Sequence, residues 1–148
     1  MNTSSTGATG RANVGTSRSI GWWFAHGAVV LAIVTSAVFG VLSFVSPSAF
    51  LSIVGVHTGQ LDAGAQIFAA YTGARELAIA FTLLVLLTRA SRGLAAVMLL
   101  TAVANGFDAV HALLAQRWVQ APGALVFAFI SLAAALWLFS RPARREDA

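Results

Sequence analysis

Apolar residues run through this chain in four long blocks, at about residues 20–45, 65–88, 93–115 and 122–140. Each block is long enough, at 1.5 Å per residue, to cross a hydrocarbon layer roughly 30 Å thick as a helix. The stretches between them are short and polar. Ser46-Pro47-Ser48 ends the first block, because proline disfavours helical geometry in the residue before it. Ala49 to Val56 is apolar but too short to span, and is expected to lie at the interface before a polar connection containing His57 and Asp62. Arg89, Ser91 and Arg92 mark a short turn between the second and third blocks, and Pro122 falls in the first turn of the fourth. The pattern predicts an all-α fold, a four-transmembrane-helix bundle with a short interfacial segment between helices 1 and 2. Residues 1–19 read as a disordered tail, because Ser, Thr, Gly and Asn cannot bury enough surface to offset ordering entropy. Residues 20–140 form the membrane domain, and 141–148 a short charged tail. The first block is too long for the hydrophobic core of a signal peptide, so it is expected to stay as a membrane helix.

Composition supports this reading. The chain is 58% hydrophobic and 9% charged, against about a quarter charged in soluble proteins. All nine basic residues are arginine, and cysteine is absent, which excludes disulfides and thiolate chemistry. A pI near 11.5 could suggest nucleic acid, but no basic cluster alternates with aromatics. The arginines sort by side instead. Arg11, Arg18, Arg89, Arg92, Arg141, Arg144 and Arg145 fall on the side of the termini, and only Arg117 on the other. Basic residues favour the cytoplasmic side, so both termini are expected in the cytoplasm of a multi-pass plasma-membrane protein.

Helix faces carry a second layer of information. Ala28, Ala32, Ser36 and Gly40 recur every four residues in the first span, a ridge that allows close helix approach. Ala124, Ala128, Ser131 and Ala135 form a similar stripe in the fourth, at spacings of four, three and four. Trp22 and Trp23 suit the headgroup level, with His26 one turn inside them.

The exceptions lie in the second and third spans. Tyr71, Thr72, Arg75 and Glu76 interrupt one, and Asn105, Asp108 and His111 the other. A charge at mid-membrane costs about 3 kcal/mol or more, so such residues pair or serve a function. Counting along antiparallel helices puts Arg75 and Glu76 at nearly the depth of Asp108. Small residues flank both sets (Ala69, Gly73 and Ala80; Ala102, Gly106 and Ala109), and are expected to draw the two helices together. The simplest reading is an Arg75–Asp108 ion pair that locks the bundle, with Glu76 left over. With both carboxyls ionised the cluster carries net charge −1, which a protonated His111, a protonated carboxyl or a bound cation would neutralise. The candidate catalytic set is Glu76, Asp108 and Arg75, and the candidate ligand-binding set is Tyr71, Thr72, Asn105 and His111. No metal site is expected, because Arg75 would repel a divalent cation and no HExxH or paired-histidine pattern occurs. No nucleotide fingerprint or serine elbow is present, and no cofactor is implied.

Gly73-Ala74-Arg75-Glu76-Leu77-Ala78-Ile79-Ala80 resembles the G-x-R-[DE]-x-A-x-G signature of a family of small four-helix membrane proteins, domain of unknown function 4267. Ala80 stands where that pattern has glycine. Asn105-Gly106-Phe107-Asp108 is similar to the family's Gly-x-Asp region, and Ser46-Pro47-Ser48-Ala49-Phe50 with Gly55 to its proline segment. The likeness covers about Val41 to Leu114. It implies a four-helix membrane fold broadly like DoxX-type bundles, and brings no activity or cofactor.

Three functions fit these residues. One is an accessory or structural membrane protein, alone, as a homo-oligomer or with a partner subunit. The second is an intramembrane acid–base enzyme of isomerase or cyclase type, acting on a lipophilic small molecule. The third is a proton or small-solute carrier, for which four short helices leave little room. The lipid bilayer is the partner common to all three.

Overall fold

The computed structural model describes residues 20–55, 62–89 and 93–140. The N-terminal and C-terminal tails, His57 and Arg92 lie outside the described residues. The helices are α1 (Ile20–Val45), α2 (Pro47–Ile53), α3 (Ala63–Arg89), α4 (Gly93–Leu114) and α5 (Ala121–Phe139). Four of the five, α1, α3, α4 and α5, are long and apolar enough to cross a membrane. Chain-internal hydrogen bonding explains why only helices serve here: a bilayer offers no partner for a bare N–H or C=O. Side-chain hydroxyls follow the same rule by bonding back to their own helix. Ser43 donates to the Gly40 carbonyl, Thr88 to Val85 and Thr101 to Val97.

The short segment expected at the interface is helical from Pro47 to Ile53, with Pro47 in its first turn, where the missing N–H is no loss. Phe50 and Leu51 turn inward and are buried with Ala69 of α3. Gly55 closes α2 with a φ of +71°, and its N–H bonds to the Ser52 carbonyl. That left-handed conformation is one L-residues with a Cβ rarely adopt. A Cβ there would also collide with Gln120. Oriented to satisfy both groups, the Gln120 amide donates to the Val54 carbonyl at 3.3 Å and accepts from the Gly55 N–H at 3.1 Å. The connection between α4 and α5 is thereby tied to the end of α2. Gly55→Ala should lower stability by about 1–2 kcal/mol from the backbone alone, and further by pushing the Gln120 amide away from its two backbone partners. Thermal unfolding in micelles checks this, and an unchanged midpoint would contradict it.

Asp62 is more than a loop residue: its carboxylate accepts the Ala65 N–H at 2.6 Å, and so caps the start of α3. At the other end of the bundle His26 stacks on Trp22 at 4.0 Å, and its Nδ1 lies 2.8 Å from the Trp22 carbonyl oxygen.

Packing follows the small residues. The ridge Ala28, Ala32, Ser36 and Gly40 on α1 is buried throughout. α1 packs extensively on α3, α4 on α5, and α1 more narrowly on α5. Ala28, Val29, Ala32, Leu83, Leu94, Met98, Ala134 and Ala135 form one core to which all four long helices contribute. Lipid tails are as apolar as these side chains, so close van der Waals contact rather than burial from water holds the helices together.

Contrary to expectation, the small stripe Ala69, Gly73 and Ala80 does not draw α3 against α4. A Cβ on Gly73 would run into Ser43 and Phe44, so that stripe approaches α1. Gly106 has nothing within 4 Å of where its Cβ would be. α3 and α4, neighbours in sequence, touch only lightly, and the side of the bundle between them is open.

Candidate functional site

Arg75 lies 14 residues before Arg89 in α3, and Asp108 15 residues after Gly93 in α4. Those separations are about 21 and 22 Å along the two helices, so the two side chains meet across the open side at one depth. Arg75 Nη2 donates to Glu76 Oε1 at 2.9 Å and to Asp108 Oδ2 at 3.3 Å. One guanidinium nitrogen thus bridges two carboxylates on different helices. The bond to Glu76 is the shorter, though the two residues are adjacent in sequence and their Cβ atoms diverge around the helix.

Exposure separates the three. The Glu76 side chain is 18% exposed, whereas Arg75 and Asp108 are 45% and 50% exposed. Glu76 is the most enclosed of the three, while the other two are about half exposed. The cluster is therefore a bridge over a gap, not a sealed core pair. Among the described residues, Nε and Nη1 of Arg75, Oε2 of Glu76 and Oδ1 of Asp108 make no hydrogen bond.

The remaining candidates do not join this bridge. Tyr71 projects from the bundle at 79% exposure. Asn105 donates its side-chain amide back to the Thr101 carbonyl at 2.9 Å. Thr72 is half-buried and His111 exposed, and among the described residues neither bonds to Arg75, Glu76 or Asp108. No three His, Asp or Glu side chains come together as metal ligands would, among the described residues. An open groove of about 410 Å³ does exist, lined by Ser43, Phe44, Pro47, Gln66, Ile67 and Ala70. It belongs to the junction of α1, α2 and α3, and none of the charged residues lines it.

The geometry separates the parts of the segment Gly73-Ala74-Arg75-Glu76. Gly73 approaches α1, while Arg75 bonds to Asp108 on α4 and to its neighbour Glu76. Sequence reading missed two positioning residues, Gln120 and Asp62. The first had no signal, because its partners are backbone groups some 65 positions away. The second did: an Asp before a helical run is a cap signature.

Four apolar helices with one polar bridge define a polytopic all-α membrane protein. The family model "Domain of unknown function (DUF4267)" matches residues 33–138, and the chain belongs to that family. No curated protein and no solved structure gives a significant match.

Proposed function

We propose that this chain is a non-catalytic membrane subunit in which Arg75, Glu76 and Asp108 fasten α3 to α4. One observation carries the reading: the Arg75 guanidinium already binds both carboxylates, on a side where two successive long helices touch only lightly. A general acid or base needs a substrate held against it within hydrogen-bond reach. The groove at the junction of α1, α2 and α3 includes none of the three charged residues, and Tyr71 and Asn105 point to other tasks. A bridge is what this side of the bundle lacks, because few side chains interlock there.

Glu76→Gln tests this against the acid–base reading. Gln keeps an acceptor oxygen for Arg75 but loses the charge that strengthens the bond, so it should lower stability by about 1–2 kcal/mol. A catalytic Glu76 would instead tolerate the exchange in folding. Full retention of the unfolding midpoint in micelles would count against the subunit reading.

The same reading places the bundle in the plasma membrane with N- and C-termini cytoplasmic, supported by the seven-to-one distribution of arginines. Reporter fusions at residue 148 and near residue 90 should report cytoplasm, and one near Asp62 the outer side. An external signal from the C-terminal fusion would contradict the orientation.

A further inference from the structure

The outward half of the bridge is incomplete within one chain. Arg75 stands near the middle of α3, 12 residues from its start at Ala63, or about 18 Å along the axis. Asp108, at the same level, lies six residues inside the end of α4 at Leu114, or about 9 Å, so the bridge falls within the apolar span on both helices, where an open polar group costs several kcal/mol. Yet Arg75 and Asp108 are each about half exposed, with Nε, Nη1 and Oδ1 making no hydrogen bond among the described residues.

The helix face around them is not built for lipid alone. Phe68, Tyr71, Arg75, Ala78 and Thr82 follow one another at spacings of three and four and are all exposed. That spacing is the seam of a left-handed helix pair. Three of the five are polar and one is alanine, the composition of membrane helix contacts. The neighbouring edge of α4 presents Ala104, Asp108 and His111 at the same spacing.

We infer that a second copy of this chain covers the open α3/α4 side, with Arg75 of each copy reaching Asp108 of the partner subunit. Charge and symmetry select this occupant. Glu76 is the most enclosed of the three, so the outward patch is one cation beside one anion, with donors and acceptors both left to fill. Such a patch is complementary to itself. Two copies inserted with the same orientation place it at the same depth. A twofold rotation about the membrane normal then sets α3 of one against α4 of the other, and Arg75 opposite Asp108 twice. The inference rests on the reading of Arg75 and Asp108 as bridging rather than catalytic residues.

The test uses two full-length copies with different affinity tags, co-expressed and extracted in mild detergent or reconstituted in lipid nanodiscs. Wild-type copies should co-purify. Arg75→Glu with itself, and Asp108→Arg with itself, should lose at least about tenfold of that yield, because like charges face each other twice. Arg75→Glu mixed with Asp108→Arg should recover it, since each contact between copies is then one acid and one base. The two changes combined in one chain restore the intramolecular bridge. That variant failing to fold overturns the bridge itself, whereas folding as a monomer overturns only the dimer. Ala78→Trp guards against misfolding of the charge variants: its site is exposed in the single chain, so the fold should hold while co-purification falls. Wild-type copies that never co-purify and run as monomers in nanodiscs overturn the inference, as does Ala78→Trp associating like wild type. Co-purification of a different protein in place of the second copy overturns it too.

Discussion

Arg75→Ala should lower the stability of the bundle in micelles by about 3 kcal/mol, the scale of an uncompensated charge at mid-membrane. The arginine is the common partner of Glu76 and Asp108, at 2.9 and 3.3 Å. Its removal leaves two carboxyls with no described side-chain partner, on a side where α3 and α4 otherwise hardly touch. Exposure of 45% would normally discount such a pair, because water screens surface ion pairs to under about 1 kcal/mol. Here the exposure is to the layer the helix crosses, and that discount does not apply. Arg75→Lys should recover only part of the loss. An ammonium is a point charge on a single atom and lacks the planar fork that reaches carboxylates on two helices. Thermal unfolding followed by circular dichroism reads both variants. Arg75→Ala melting with the wild type would mean that the bridge contributes nothing to the fold.

Gly73→Leu should do damage of similar size by a different route. A Cβ at Gly73 already meets Ser43 and Phe44 of α1, and one at Gly40 meets Leu77 of α3. The two glycines interlock two helices face to face, at a spacing set by bare backbone. Overpacking such an interface forces backbone shifts costing about 3 kcal/mol, and α1–α3 is among the largest helix interfaces in the molecule. Gly106→Leu makes the contrast. Gly106 has open space where its Cβ would be, so the exchange should alter stability by no more than about 0.5 kcal/mol. Equal losses at positions 73 and 106 would show that the helices pair differently.

Much of this was legible in the chain. The four spans follow from apolar length, because runs of about 20 apolar residues suit a spanning helix and are about twice what a barrel strand needs. The long helices run over residues 20–45, 63–89, 93–114 and 121–139. The meeting of Arg75 with Asp108 was legible too, since antiparallel helices of known rise fix depth. What the sequence could not show is which neighbour a small stripe faces. Ala69, Gly73 and Ala80 look alike whether they meet α1 or α4, and in lipid no water gradient points them inward. The choice depends on matching surfaces, here Gly40 and Ser43 against Leu77 and Gly73. The openness of the bridge was hidden for the same reason. Burial of Arg75 depends on how far α3 and α4 splay, and no local residue pattern records that angle. Tyr71 and Asn105, placed beside the cluster by spacing, turned to the surface and to the Thr101 carbonyl. Spacing fixes the face of a helix but not the rotamer of a side chain upon it.

Whether Arg75 and Asp108 hold α3 to α4 by direct interaction is tested most directly by a double-mutant cycle. Unfolding free energies would be measured in mixed micelles for wild type, Arg75→Ala, Asp108→Ala and the double variant. The double variant should lose less than the sum of the single losses, by about 1 kcal/mol or more, because neither change then strands the other's charge. Strictly additive losses would contradict the bridge, since residues that do not interact leave no coupling to recover.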